Sequence, residues 1–341
     1  MCVFFLIIMV YIYKKIIGNN NYYYLRASII KNNKKITKDI AYLGSDSKKI
    51  FEKLNLLPKK YSVEIRSAYR NINLFIETEY YLSKITKIKS DDYFSDKINK
   101  QIAAIKLHFD KNFSKRDKLT KQEQIDFFVI DFAYNTTSIE GNTITLKQAE
   151  QLLINNLTPK NKELREIYDL TNTKKTFAVL KDNLKQRLSQ KLILKIHEKL
   201  VENIDVRVGY RTQDVRILRM NFKSTPYRYI KADMDILLNW YNRYKKILHP
   251  LVLVTLFHHK FEKIHPFADG NGRTGRMIMN FILIKLGFPP FIISKKNRLE
   301  YINNLNKVDK ENLDSLDSKK YRNLISFVAN EFINGYWDHF I

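Results

Sequence analysis

The chain has 341 residues, enough for two or three structural units around a sizeable core. Lys and Arg number 60 against 35 Asp and Glu, a net charge of +25; such a field favours nucleotides, nucleic acid or acidic protein faces, although the basic residues are spread along the chain rather than gathered in a block. The single cysteine, Cys2, excludes an intramolecular disulfide framework and a cysteine-based zinc site, and it fits a reducing, cytoplasmic setting.

Met1 to Tyr13 is an apolar run without leading positive residues or a small-residue cleavage site, so it makes a poor signal peptide. It is also shorter than the roughly 20 residues of a membrane-spanning helix. Val10–Ile17, Tyr22–Ile30 and Ile36–Leu43 are rich in β-branched and aromatic residues, and Gly18-Asn19-Asn20-Asn21 and Lys31-Asn32-Asn33-Lys34 separate them with turn chemistry. This pattern predicts a three-stranded meander. Met9 would be a natural start for it, with Met1–Ile8 an upstream extension.

After Gly44 helical periodicity takes over. Amphipathic helices are expected over Ile65–Ile85 and Asp96–Phe109. A capping box, Thr120-Lys121-Gln122-Glu123, opens a strongly apolar helix through about Tyr134. A second, Thr145-Leu146-Lys147-Gln148, opens one through about Leu153. Further helices are expected over Ser189–Val201, Ala232–Ile247 and Leu251–Ile264. Between them, Val215–Leu218 and Tyr227–Ile230 read as extended segments, a hairpin-like flap. The expected organisation is a meander over 1–44, a helical region over 45–186 and a C-terminal unit over 187–335, mainly α in class.

The residues that carry chemistry follow the Leu251–Ile264 helix. His265-Pro266 should end it, because proline disfavours helical geometry in the residue before it. Phe267-Ala268-Asp269-Gly270-Asn271-Gly272 follow, and from Arg273 to Leu286 the chain is almost continuously apolar, as a buried helix is. Two glycines around Asn271 let successive N–H groups turn inward as an anion nest, placed at a helix N-terminus. Arg273 and Arg276 are three apart and share a face. Asp269 is the only acid in the loop, and beside phosphates it is a natural Mg²⁺ ligand. His265 is the candidate general base.

The run from His265 to Arg276 matches the signature of the Fic family at every defining position. Around it, Gly209-Tyr210-Arg211 through Val215 and Ile217 resembles the family's flap, which docks a target segment as an added strand. Ser189–Val201 resembles the first core helix, and the likeness covers roughly residues 187–335. The resemblance implies a Fic-type helical core with a β-hairpin flap, and transfer of AMP from ATP to a Ser, Thr or Tyr hydroxyl of a target protein seated on the flap at 215–230. It implies that His265 deprotonates the hydroxyl and that Asp269 holds Mg²⁺. Gly270, Asn271 and Gly272 would cradle the phosphates, and Arg273 and Arg276 would neutralise them. It further implies nucleotide contacts from Thr274, Gly275, Val215, Arg216, Ile217, Leu218 and Tyr301, with Asp309 also near the adenine.

Thr136-Thr137-Ser138-Ile139-Glu140-Gly141, between the two capped helices, resembles the family's inhibitory motif, with Thr136, Glu140 and Gly141 in the defining places. A carboxylate paired with Arg276 would take that arginine from the γ-phosphate, so Glu140 is expected to hold the enzyme off. His258, Glu262 and His265 share one helical face, but no second Glu-x-x-His exists for a di-iron bundle. The sequence leaves open a homodimer, a relative's chemistry (transfer of another phosphate-containing group, or AMP removal aided by Glu140) and, from its charge, nucleic-acid binding.

Overall fold

The computed structural model describes residues 6–31, 34–87, 91–215, 224–316 and 318–341. The chain falls into two compact units, one of residues 1–88 with 103–108 and 341, the other of residues 89–102 and 109–340.

In the first unit β1 (Leu6–Ile17), β2 (Asn20–Lys31) and β3 (Lys34–Gly44) form an antiparallel sheet in the order β1-β2-β3. A two-residue turn joins β1 to β2, with Gly18 at φ +58°, a conformation that costs glycine little. β1 begins four residues before the expected Val10, and Leu6 stands opposite Ile30. Alternation puts Val10, Ile12, Leu25, Ile29 and Leu43 on one face. There they pack with Ile50 and Leu54 of α1 (Ile50–Asn55) and Ile72 and Ile76 of α3 (Tyr69–Lys84), with α2 (Ser62–Ser67) between the two helices in sequence. Glu79 of α3 accepts from Lys14 Nζ at 2.7 Å and from the Tyr23 hydroxyl at 3.0 Å. The single helix expected over Ile65–Ile85 is divided at Ala68, whose ψ of 4° departs from helical geometry.

The second unit is helical. After α4 (Asp96–Lys111), part of which belongs to the first unit, come α5 (Lys118–Glu140), α6 (Leu146–Asn155), α7 (Leu164–Asp182), α8 (Gln190–Leu200) and α9 (Ile230–Tyr244). They are followed by α10 (Pro250–Ile264), α11 (Asn271–Lys285), α12 (Arg298–Lys307) and α13 (Ser318–Phe340). α10 and α11 form the centre. Gly275 makes their close approach feasible: a Cβ there would come within 2.6 Å of His258 Nδ1 and 3.0 Å of Glu262 Oε1.

Two sequence expectations are corrected. α5 starts earlier and ends later than expected. Its cap is Asp117, whose carboxylate accepts from Thr120 N at 2.9 Å, and an anion at a helix N-terminus outcompetes the neutral threonine box. The helix continues to Gly141, which closes it at φ +112°. Thr136–Glu140 is therefore the last turn of α5, not a connection between helices. The second correction concerns Tyr227–Ile230, which is not extended: Tyr227–Tyr229 form a 3₁₀ turn leading into α9. The middle of the expected flap, with Arg216, Ile217 and Leu218, lies outside the described residues. Thr145, by contrast, caps α6 with the expected reciprocal box to Gln148. Among the described residues, no helix is long and apolar enough to cross a membrane.

Candidate active site

α10 ends at His265, which adopts a left-handed conformation (φ 51°, ψ 61°) while its N–H still donates to Phe261 O at 3.0 Å. Arg211, nearly buried, holds the turn: its Nε donates to His265 O at 2.9 Å and its backbone N–H to Pro266 O at 2.9 Å. The loop is closed by Asn271, whose Oδ1 accepts from Phe267 N and whose Nδ2 donates to Phe267 O, both at 2.9 Å. Both groups of the Asn271 amide are thus spent on the loop's own backbone, so its side chain shapes the nest and only its backbone N–H is left to face an anion. Gly270, at φ +79°, is the N-cap of α11.

His197 of α8 supports the loop from beneath. Its ring stacks on Phe267 with centroids 3.6 Å apart, and its Nε2 lies 2.9 Å from Asp269 O. A lone histidine among Leu192, Ile193, Ile196 and Leu200 gives no signal of this role in the sequence.

The two arginines of α11 diverge. Arg276 turns to α5: its Nε donates to Thr136 Oγ1 at 2.7 Å, and its Nη2 donates to Thr136 O at 2.9 Å and to Glu140 Oε1 at 2.6 Å. Arg273 turns to α7, pairing with Asp169, and reaches Asp269 Oδ1 at 3.3 Å. Asp269 also accepts from Gly270 N at 2.7 Å and pairs with Arg165 at the start of α7. Neither Arg165 nor Asp169 was identified from sequence.

The electrostatics follow from this packing. Burial drives the His265 imidazole down to about 4, with Arg211 adding to the effect and the Glu262 carbonyl opposing it, so the ring is neutral near pH 7. Burial favours the protonated form of Glu140, but Arg276 and then Arg273 outweigh it and hold the carboxyl below its usual value. Burial likewise acts against ionised Asp269 and is overcome by Arg273 and Arg165. Glu262, whose Oε2 is 3.9 Å from His265 Nδ1, is pushed by burial up to about 8.

Glu140, Glu262, His265, Asp269–Arg273, Arg276 and Tyr301 line one cavity of about 200 Å³, together with Arg298, Ile302 and Leu305. Thr274 and Gly275 are buried behind the loop, and neither they, Val215 nor Asp309 lines the cavity. Tyr301 stacks on His258 at 5.9 Å and its hydroxyl meets His258 Nε2, which gives the cavity an aromatic wall. Among the described residues, no group of three or more His, Cys, Asp or Glu is placed to hold a metal.

The arrangement is a neutral histidine beside a glycine-flanked turn at a helix N-terminus, with the Glu140, Glu262 and Asp269 carboxyl groups and a restrained arginine around it. It belongs to a class in which two packed helices present a glycine-containing loop at the N-terminus of the second. Residues 187–283 match the family model described as the Fic/DOC family. Among curated proteins, the chain is 27% identical over 175 residues to protein adenylyltransferase fic-1 of Caenorhabditis elegans, covering 50% of this chain and 34% of that protein. It is 32% identical over 177 residues to protein adenylyltransferase Fic of Drosophila willistoni, covering 49% and 34%. The matches span about a third of the length of these relatives. The fold resembles that of a Fic domain containing signaling protein from Bacteroides thetaiotaomicron (TM-score 0.63, 24% identity, 69% of this chain and 95% of the other). It also resembles residues 134–508 of Fic-1 from C. elegans (TM-score 0.61, 21% identity, 86% and 91%).

Proposed function

We propose that this chain is a protein adenylyltransferase, moving AMP from ATP to a Ser, Thr or Tyr hydroxyl of a target protein, and that Glu140 keeps it off at rest. The observation that carries this reading is the Arg276–Glu140 contact at 2.6 Å beside the His265 loop. The N–H groups at the start of α11 bind the phosphates, and Arg273, fixed by Asp169, adds charge at their side. His265, neutral at physiological pH, takes the proton of the target hydroxyl as that oxygen attacks the α-phosphorus. Pyrophosphate leaves. Most of the acceleration comes from positioning and charge stabilisation.

Mg²⁺ would be held by Asp269 with phosphate oxygens and water. The ionised Asp269 carboxylate, in the loop itself, fits a metal that arrives on the nucleotide. Bound there, it would neutralise charge on the phosphates. The functional division follows the sequence: residues 187–335 carry the catalytic core and residues 45–186 carry the brake. The target docks on the N-terminal side of the turn that leads into α9, in the cytoplasm.

The test uses α-labelled ATP with Glu140→Gly, alone and combined with His265→Ala. Label transfer to protein by the single variant and its loss in the folded double variant are expected. Label arriving from γ-labelled ATP instead would replace AMP transfer with phosphate transfer.

A further inference from the structure

The sheet of the first unit has a second face. With Val10, Ile12, Tyr23, Leu25 and Leu43 packed into the core, alternation turns Tyr11, Tyr13, Tyr22, Tyr24 and Arg26 the other way. Register aligns them: Tyr13 stands opposite Tyr24, and Tyr24 opposite Tyr42, so three tyrosines form one row across all three strands. Tyr11 is opposite Arg26, and Lys15 is opposite Tyr22. The Tyr24 and Tyr42 rings are 5.2 Å apart and those of Tyr22 and Tyr42 6.4 Å, and Tyr42 is 53% exposed. The Arg26 guanidinium lies 3.4 Å from the centroid of Tyr13, a planar cation on an aromatic face.

Charge points the same way. Residues 1–44 hold seven Lys and Arg and a single acid, Asp39. That acid is already neutralised by Arg26 at 2.6 Å. Cross-strand tyrosine pairs alone are ordinary sheet packing. A row of tyrosines interleaved with cations, on the solvent side of a basic sheet, is the chemistry of a stacking platform for extended strands of bases.

We propose that this face binds single-stranded nucleic acid, with bases stacked on Tyr24 and Tyr42 beside the Arg26-capped Tyr13 and phosphates beside Lys15. Duplex is disfavoured because its bases are already stacked on one another. The face belongs to the first unit and the His265 cleft to the second, and the proposal does not depend on the transferase reading.

The test is fluorescence anisotropy of the full chain with a labelled 12-nucleotide oligo-dT strand, at about 50 mM salt, where phosphate contacts are strong. Salt-dependent binding is expected, unchanged by His265→Ala. Tyr24→Ala with Tyr42→Ala should weaken it at least tenfold, and the same pair changed to Phe should keep it, since the ring and not the hydroxyl stacks. Three results would overturn the proposal: no binding, binding insensitive to the alanine pair, or displacement by polyphosphate or duplex as readily as by single strand. Sedimentation with anionic phosphatidylserine vesicles, without competition from the oligonucleotide, would assign the face to a membrane surface instead.

Discussion

The Glu140 carboxylate lies directly over the backbone of Gly272. A Cβ on Gly272 would overlap Glu140 Oε1 and come within 2.9 Å of Arg276 Nη1. Glu140 is thus an internal anion lying at the nest, and it takes up the charge of Arg276 at the same time. A nucleotide phosphate and this carboxylate compete for one guanidinium. Because such coupling is reciprocal, whatever draws Glu140 away strengthens productive nucleotide binding by the same factor.

Gly272→Ala tests that proximity. The side chain displaced first is the flexible end of Glu140, so the cost should vanish when Glu140 is absent. Alanine at 272 is expected to lower the urea midpoint in the wild type and to lower it less in a Glu140→Gly background. Equal losses in both would separate the two residues energetically.

Thr136 is the second anchor of Arg276, through its hydroxyl at 2.7 Å and its carbonyl at 2.9 Å. Thr136→Ala removes only the hydroxyl. A hydrogen bond to a charged group contributes about 1.5–3 kcal/mol, so release of Arg276 should rise roughly tenfold or more. Initial rates of self-labelling should place Thr136→Ala between the wild type and Glu140→Gly.

Asp169 fixes Arg273, and both side chains are largely buried. Asp169→Ala removes the nearer of the two carboxylates that hold the buried guanidinium, leaving Asp269 at 3.3 Å, and breaking a buried pair costs up to about 3–5 kcal/mol. A large fall in the urea midpoint is expected, with weakened labelling under conditions where the variant is still folded. Little change in either would mean that Arg273 is held by other groups.

Arg165 pairs with Asp269, the carboxylate assigned to the metal. Arg165→Ala should therefore tighten Mn²⁺ binding to the ATP-loaded protein, read by the loss of free-ion signal in electron paramagnetic resonance. Weaker binding would show instead that Arg165 helps hold the nucleotide.

His265 is driven by burial to about 4. Its neutral form, the one able to accept a proton, dominates above that value, so Glu140→Gly should label at a level rate from about pH 6 to 8 and decline only toward pH 4. Stability runs in the same direction. Burial lowers His197, His249 and His265 to about 4. At these three sites the unfolded chain binds more protons than the native one between about pH 4 and 6.5, so they contribute a loss of stability as pH drops through that window, opposed by Glu262, which keeps its proton in the native state up to about pH 8. Thermal unfolding across that range measures the slope.

The chemistry legible in the sequence is the part written contiguously. His265 to Arg276 needed only a helix stop, two glycines and a buried helix to be read as a phosphate loop. The meander was legible from alternation and turn residues, and Glu140 from its motif. What escaped came from other helices. Arg165 and Asp169 lie about 100 residues upstream of their partners, on a helix that was not recognised. α7 buries Asp169, Asn172, Thr173 and Thr176 along with Leu170 and Phe177, so polar residues dilute the apolar stripe that marks a helix. The start of α5 is obscured because Thr120 reads as a cap three residues after Asp117 has already supplied one.

The central claim is a competent AMP transferase held off by one carboxylate. Initial rates of protein labelling from α-labelled ATP, wild type against Glu140→Gly at equal folded concentration, test it most directly. The account requires at least a tenfold higher rate in the variant. Equal rates in the two proteins would contradict it.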